Sequence, residues 1–315
     1  MSEGNHSETV LPAPLPDFVP AAPFDDPNAD VILRSSDGVD FRAHRLVLSL
    51  ASPIFKQMFQ LPQPQSEPEV PIIPLAESVL VLDRFLRFFY PGTESSVPNL
   101  EQLREILDIA LIKYDMHSLA SLGKQYLRSH ISDAPVGVYA IACRYGWKDV
   151  ALDAAKQSLQ YPLRAFGAPP IQLHHITAYH YHTLLAYHTR CGQVATAATS
   201  TLTWLSNWQD LVFFNLNCTV CPRTNSKSSP IASFGIRSVV QWFAEYLDNA
   251  GELVGNIPAA NLDDMRLLDS PFNNLAKCPS CTRNGVVQQL IQFAKETLPS
   301  EIKRRIDSVE LTLDL

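Results

Sequence analysis

The sequence predicts a mixed α/β (α+β) first domain followed by a mainly α-helical region. Three observations carry this. Two short alternating runs flank Asp37-Gly38 near the start of the structured chain. An unbroken helical period follows from Leu103 to Tyr114, and almost no strand pattern occurs after Ser132. Apolar residues make up 46% of the 315 and charged residues 18%, a composition that supports packed cores and fits about two domains.

The N-terminal 28 residues carry six prolines and no periodic apolar face, so residues 1–28 are expected to form a Pro-rich, disordered arm. In "ADVILRSSDGVDFRAHR", Val31 and Leu33 alternate with polar or outward positions, as do Val39 and Phe41, and Asp37-Gly38 accommodates the positive φ angles of a tight turn. A β-hairpin is expected. In "HRLVLSLASPIFKQMF" the period changes: Leu46, Val47, Leu50, Ile54, Met58 and Phe59 fit one helical face, with Ser52-Pro53 as a stop and restart. Two tandem helices follow from this.

"LPQPQSEPEVP" must be a loop, and "VPIIPL" offers a short strand that Pro71 and Pro74 restrict to a sheet edge or a strand end. "SVLVLDRFLRFFYPG" reads as a buried helix through Val79, Leu82, Phe85, Leu86 and Phe89, stopped by Pro91-Gly92. The next helix is the most periodic: Leu103, Ile106, Leu107, Ala110, Leu111 and Tyr114 share a face, with Asn99 as N-cap. A further helix is expected from Met116 to about His130, and then a helical run that includes "PVGVYAIACRYGW" and "KDVALDAAKQSLQY".

Asp30-Val31, "FRAHRLVLSLASPIF", Met58-Phe59 and "FFYPG" stand in the order of the Asp-Val, Phe-x-Ala-His-x-x-x-Leu, Ser-x-x-Phe and Tyr-x-Gly landmarks of the BTB/POZ domain. On these residues the stretch from 29 to 131 resembles that family, leaving 132–315 as an α-helical C-terminal domain with paired Cys-x-x-Cys motifs. The resemblance implies a small sheet flanked by helices and a protein-interaction surface without chemistry of its own. It also matches Asp30 and Arg45 to the charged residues of a shallow partner-binding pocket in a dimer groove. Their alternative reading is a half-buried ion pair fixing the hairpin to the first helix. His44 reads as a mostly buried imidazole bonded to nearby backbone, because no second His, Cys or Ser nearby completes a triad.

Protein partners, self-association among them, are what the family implies. Animal members usually exchange an N-terminal helix and strand, whereas this chain begins with the proline-rich arm. Cullin-binding members carry an apolar-x-Glu motif after the Met-Phe position, and "QLPQPQSEPE" holds no good match. A cullin substrate adaptor is therefore the alternative within this class. The whole layout is also similar to BTB proteins of mushroom-forming fungi.

Histidines 174, 175, 180, 182 and 188 invite a metal reading, but no pair is three or four residues apart as two ligands on one helix would be. Tyr179, Leu184, Leu185 and Tyr187 are interleaved, which favours a packing helix. The cysteines differ. Cys218-x-x-Cys221 is echoed by Cys278-Pro-Ser-Cys281 with 56 residues between, and each pair can present two thiolates to one tetrahedral ion. Zinc is the natural cofactor, held as a structural staple. A thioredoxin-like redox pair would need a βαβ context that the flanks lack, and reduced, unliganded thiols are the plainer alternative. Cys143 and Cys191 read as small buried residues.

The first ten residues lack a secretory pattern and no run of about 18 apolar residues occurs, so an intracellular protein of cytoplasm or nucleus, without a membrane partner, is expected. A net charge of −7, with Lys303-Arg304-Arg305 as the only tight basic cluster, disfavours nucleic acid. A zinc-dependent nucleic-acid-binding regulator is the alternative from another class, although neither cysteine pair leads a basic recognition helix. No Gly-x-Ser-x-Gly elbow, phosphate-binding loop or His-Glu-x-x-His is present, and no enzyme is expected.

Overall fold

The computed structural model describes residues 18–61, 70–93, 98–163, 168–205, 218–224, 239–283 and 285–314. The chain divides into two compact units, Met1–Leu127 and Arg128–Leu315. Among the described residues no helix is long and apolar enough to cross a membrane.

In the first unit, β1 (Val31–Arg34) and β2 (Asp40–Ala43) form the expected antiparallel hairpin, with Val31 opposite Ala43 and Leu33 opposite Phe41. Asp37 holds the turn: it accepts from the Ser35 hydroxyl and from the Val79 backbone N–H, which ties the hairpin tip to the start of the third helix. Gly38 takes φ 87°, a conformation open to glycine at little cost. β3 (Ile72–Pro74) pairs with β1 in parallel, so the sheet order is β2-β1-β3 and the prolines lie on an edge.

Two short helices, α1 (Arg45–Ala51) and α2 (Pro53–Met58), follow the hairpin. Ser52 separates them: its Oγ accepts the Phe55 N–H at 3.1 Å and donates to the Tyr114 carbonyl at 2.6 Å. The expected burial of this stretch is corrected by the structure. Leu48 and Phe55 are its buried residues, while Leu46 and Leu50 point outward at 69% and 78% exposure. A seven-residue helix with apolar residues on opposite sides can turn only one side to the core, and Leu48 takes it.

α3 (Val79–Phe89) buries Val79, Leu82, Phe85, Leu86 and Phe88; the last of these replaces the expected Phe89 and packs 5.5 Å from the Tyr126 ring. α4 (Leu100–Leu107) starts on a full capping box, in which Asn99 accepts from Gln102 N–H and the Gln102 side chain accepts from Asn99 N–H. The helix then widens into a π turn over Asp108–Lys113, where Tyr114 N–H reaches the Ile109 carbonyl. One extra residue per turn rotates the face, so Ile109 and Ala110 are buried and Leu111 is only half-buried. Tyr114 remains in the core, stacked on Phe55 at 4.4 Å. A 3₁₀ turn, His117–Leu119, and α5 (Ala120–Ser129) complete the sequence of elements near the boundary.

Part of the stretch expected as an arm is built into the first unit. Phe24 is 1% exposed, its ring lies against Phe41 and Tyr90, and its carbonyl accepts the Arg42 N–H at 3.0 Å. Arg87 covers the Phe24 ring and donates to the carbonyls of Ala21 and Ala22. Burying one phenyl ring stabilises the segment by roughly 2–3 kcal/mol, enough to order a proline-rich stretch with little conformational entropy left to lose. Residues 1–17 of the expected arm lie outside the described residues, as does most of the expected 61–71 loop.

The second unit is helical, as expected. α6 (Pro135–Arg144) is buried almost all round, and α7 (Lys148–Ser158) packs beside it. α8 (Ala178–Ser200) is the longest helix, capped by Thr177 Oγ1 on the His180 N–H. It runs antiparallel to α9 (Gln241–Asn256) at very close range. A Cβ on Gly192 would sit 2.6 Å from the Gly255 carbonyl oxygen, and one on Gly251 would sit 2.5 Å from Thr199 Oγ1. α10 (Met265–Ala276), α11 (Pro279–Arg283), α12 (Val286–Gln292) and α13 (Leu298–Asp307) follow, with a π turn at Phe293–Thr297. Among the described residues, a two-residue ladder, β4 (Arg223–Thr224) with β5 (Val239–Val240), is the strand content the sequence did not suggest.

Candidate interaction surface and metal centre

Asp30, Arg45 and His44 each have a partner other than the one expected. Asp30 does not pair with the Arg45 guanidinium; its Oδ1 accepts the Arg45 backbone N–H at 2.7 Å, at the open N-terminus of α1. The Arg45 side chain lies over the Phe59 ring, 5.1 Å from its centre, and its Nε is buried without a hydrogen-bond partner. The carboxylate serves α1 better than the guanidinium because an unmet helix-end N–H is costly and the dipole favours an anion there.

His44 is half-buried and its ring bonds side chains, not backbone. Nδ1 lies 2.7 Å from the Tyr90 hydroxyl, and Nε2 lies 3.4 Å from Asp26 Oδ2. The same hydroxyl accepts the His44 backbone N–H at 2.9 Å. A tyrosine O–H donating to Nδ1, with the Nε2–H turned to Asp26, satisfies every group. Asp26 and Tyr90 were therefore missed partners. Tyr90 stands in "FFYPG", but nothing in its position says that it reaches back to the hairpin.

The face beside these residues was also missed. Leu46 and Leu50 are one turn apart on α1, and both are exposed. An apolar ridge of this kind is suited to a protein surface that brings apolar side chains.

In the second unit, the four cysteines of the two Cys-x-x-Cys motifs converge. Their sulfurs all lie within 4.8 Å of one another, and the residues are buried at 3%, 6%, 3% and 0% exposure for Cys218, Cys221, Cys278 and Cys281. Cys218 Sγ is 3.6 Å from Cys278 Sγ, and Cys221 Sγ is 3.6 Å from Cys281 Sγ. A tetrahedral Zn–S bond of about 2.3 Å implies sulfurs about 3.8 Å apart, so the donor set fits one ion closed by four thiolates.

Local structure explains the convergence. The first motif forms a turn whose next residue, Pro222, accepts the Gln241 N–H at 2.9 Å and so joins the start of α9. The second motif follows the end of α10, where Cys278 N–H reaches the Leu275 carbonyl; Cys281 then lies on α11, and Thr282 Oγ1 closes onto the carbonyls of Leu275 and Cys278. Burial opposes ionisation of Cys218, yet the N–H groups of Cys221 and Val220 and the thiols of Cys278 and Cys281 bring its pKa down to about 6. Burial and the neighbouring sulfurs push Cys221 up to about 11 and raise Cys281. A divalent cation would stabilise all four as thiolates. The expected apolar run before Cys218 lies largely outside the described residues.

Among the described residues the histidines do not form a second centre. His174 and His175 end a separate 3₁₀ turn, Ile171–His175, so they are not on the helix that carries His180, His182 and His188. His188 is buried and its Nε2–H donates to the Tyr161 carbonyl at 3.1 Å. Cys143 and Cys191 are buried, and burial pushes both thiols up to about 11.

The BTB/POZ domain family model matches residues 24–131. A BTB/POZ domain-containing protein of Arabidopsis thaliana is 34% identical over 110 residues, covering 35% of this chain and 39% of the relative. The chain thus spans less than two thirds of that relative's length. The first unit carries a BTB/POZ domain, of a kind that is generally a protein–protein interaction module, and a helical region with a four-cysteine cluster follows it.

Proposed function

We propose that this BTB/POZ domain, joined to a zinc-stapled helical region, makes the chain an adaptor or scaffold that binds a protein partner and catalyses nothing itself. The observation that carries the reading is the exposed Leu46–Leu50 ridge of α1. The partner contributes apolar side chains to the ridge; a second copy of the chain is one such partner. Asp30 and His44 position this face, the first by holding the start of α1 and the second by tying it to Tyr90 and Asp26.

Zinc is the ion that the four thiolates fit. With the coordination shell full, it leaves no position for water and contributes folding energy instead of chemistry. The layout's resemblance to fungal BTB proteins and an intracellular location belong to the same reading.

Light scattering of the purified chain combined with affinity capture from its native cell tests the function. An oligomer, or a monomer that retains a stoichiometric protein partner, is the expected result. A monomer that retains none would overturn it.

A further inference from the structure

The two sulfur pairs at 3.6 Å both run between the motifs, from Cys218 to Cys278 and from Cys221 to Cys281, and each spans 60 residues of sequence. A disulfide needs its sulfurs about 2.05 Å apart, so each pair must close by roughly 1.5 Å. Such a closure would join the same two segments that the metal joins. Bonds within a motif, Cys218–Cys221 or Cys278–Cys281, would join nothing distant.

We infer that the site is a staple with two closed forms: a metal held by four thiolates when reduced, and the crossed disulfides Cys218–Cys278 and Cys221–Cys281 when oxidised. The first form rests on the zinc reading above; the second rests on the sulfur geometry. The oxidant is of the peroxide class, because sulfurs with so little exposure admit a small molecule more readily than a bulky disulfide. Val220, between the two cysteines of the first motif, is 61% exposed, which places that turn at the surface of its unit.

Each disulfide forms in two balanced steps. One thiolate attacks the peroxide O–O bond, gives a sulfenic acid and releases hydroxide; the partner thiolate then attacks that sulfur, forms the S–S bond and expels a second hydroxide. Two peroxides therefore oxidise four thiolates and free one zinc ion. The consequence is a region that loses its metal without losing its closure.

The test uses the full chain purified under reducing conditions. Elemental analysis first reports the metal. Hydrogen peroxide is then titrated against a chromogenic zinc indicator, the product is mapped by mass spectrometry without reduction, and thermal unfolding is compared for the zinc, oxidised, and reduced and chelated forms. Expected are two peroxides consumed per zinc released, links between the motifs, and an oxidised form melting within a few degrees of the zinc form and well above the chelated one. In C221S/C281S, the remaining link should be Cys218–Cys278. Disulfides confined within a motif, sulfinic acids in their place, or an oxidised form as labile as the chelated one would overturn the inference. A protein without metal would overturn the zinc reading alone, since the peroxide-treated map still decides the pairing.

Discussion

Arg45 and Glu301 show how differently two ionic side chains can be placed. Arg45 keeps a buried Nε without an acceptor while Asp30 spends its carboxylate on the backbone. Glu301, buried on α13, is fully engaged: Arg304 bonds both its oxygens and Arg305 a third time. The Arg304 hydrogen bonds outweigh the opposing effect of burial and, with Arg305, bring the Glu301 pKa down to about 2 from an ordinary 4.5. A depressed carboxylate pKa adds stability above the unfolded value and loses it as pH falls through the folded one. E301Q is therefore expected to cost roughly 1–2 kcal/mol at neutral pH. The difference from wild type should shrink between pH 4.5 and about 2 in denaturation curves, and a constant difference across that window would refute the assignment. At this scale the sequence named Asp30, His44 and Arg45 but not the groups they meet: Tyr90 and Asp26 reach His44 through folding across 46 and 18 positions, a proximity that no local pattern encodes.

Helix α8 depends on absent side chains. Gly192 allows the Gly255 carbonyl to approach, and Thr196 Oγ1 donates to the Gly251 carbonyl at 3.1 Å across the same contact. A methyl at position 192 must displace backbone. G192A is expected to destabilise the second unit by about 1–3 kcal/mol. All four tryptophans lie in that unit, so tryptophan fluorescence during urea unfolding reports it directly. Most elements were legible because their signals are local: the Asp-Gly turn, the Asn99 N-cap and the Ser52-Pro53 restart. The π turn was not, because widening a helix by one residue leaves no composition signal while it moves burial from Leu111 to Ile109. The α1 ridge was misread for a related reason. Periodicity shows that Leu46 and Leu50 share a face, and only tertiary packing decides whether that face meets the core. Phe24 was hidden by the prolines around it, since a single anchoring ring makes no period.

Across the whole molecule, spacing in the sequence was most informative where chemistry constrains it. Two Cys-x-x-Cys motifs with 56 residues between them pointed to one centre, and their sulfurs converge. Elemental analysis should find about one zinc per chain, and C278S should lose the ion together with several kcal/mol of stability. Retention of wild-type stability in a metal-free C278S protein would remove the staple from the account. The proposed adaptor function belongs to the other unit. Its most direct test compares wild-type and L46D/L50D chains as baits in quantitative affinity capture, with thermal unfolding as a control for folding. Exposed positions should tolerate the change with little shift in melting temperature. The account predicts that the specifically captured partner, or the second copy of the chain, falls at least about tenfold, the effect of losing roughly 1.4 kcal/mol of binding. Undiminished capture by the folded variant would contradict it.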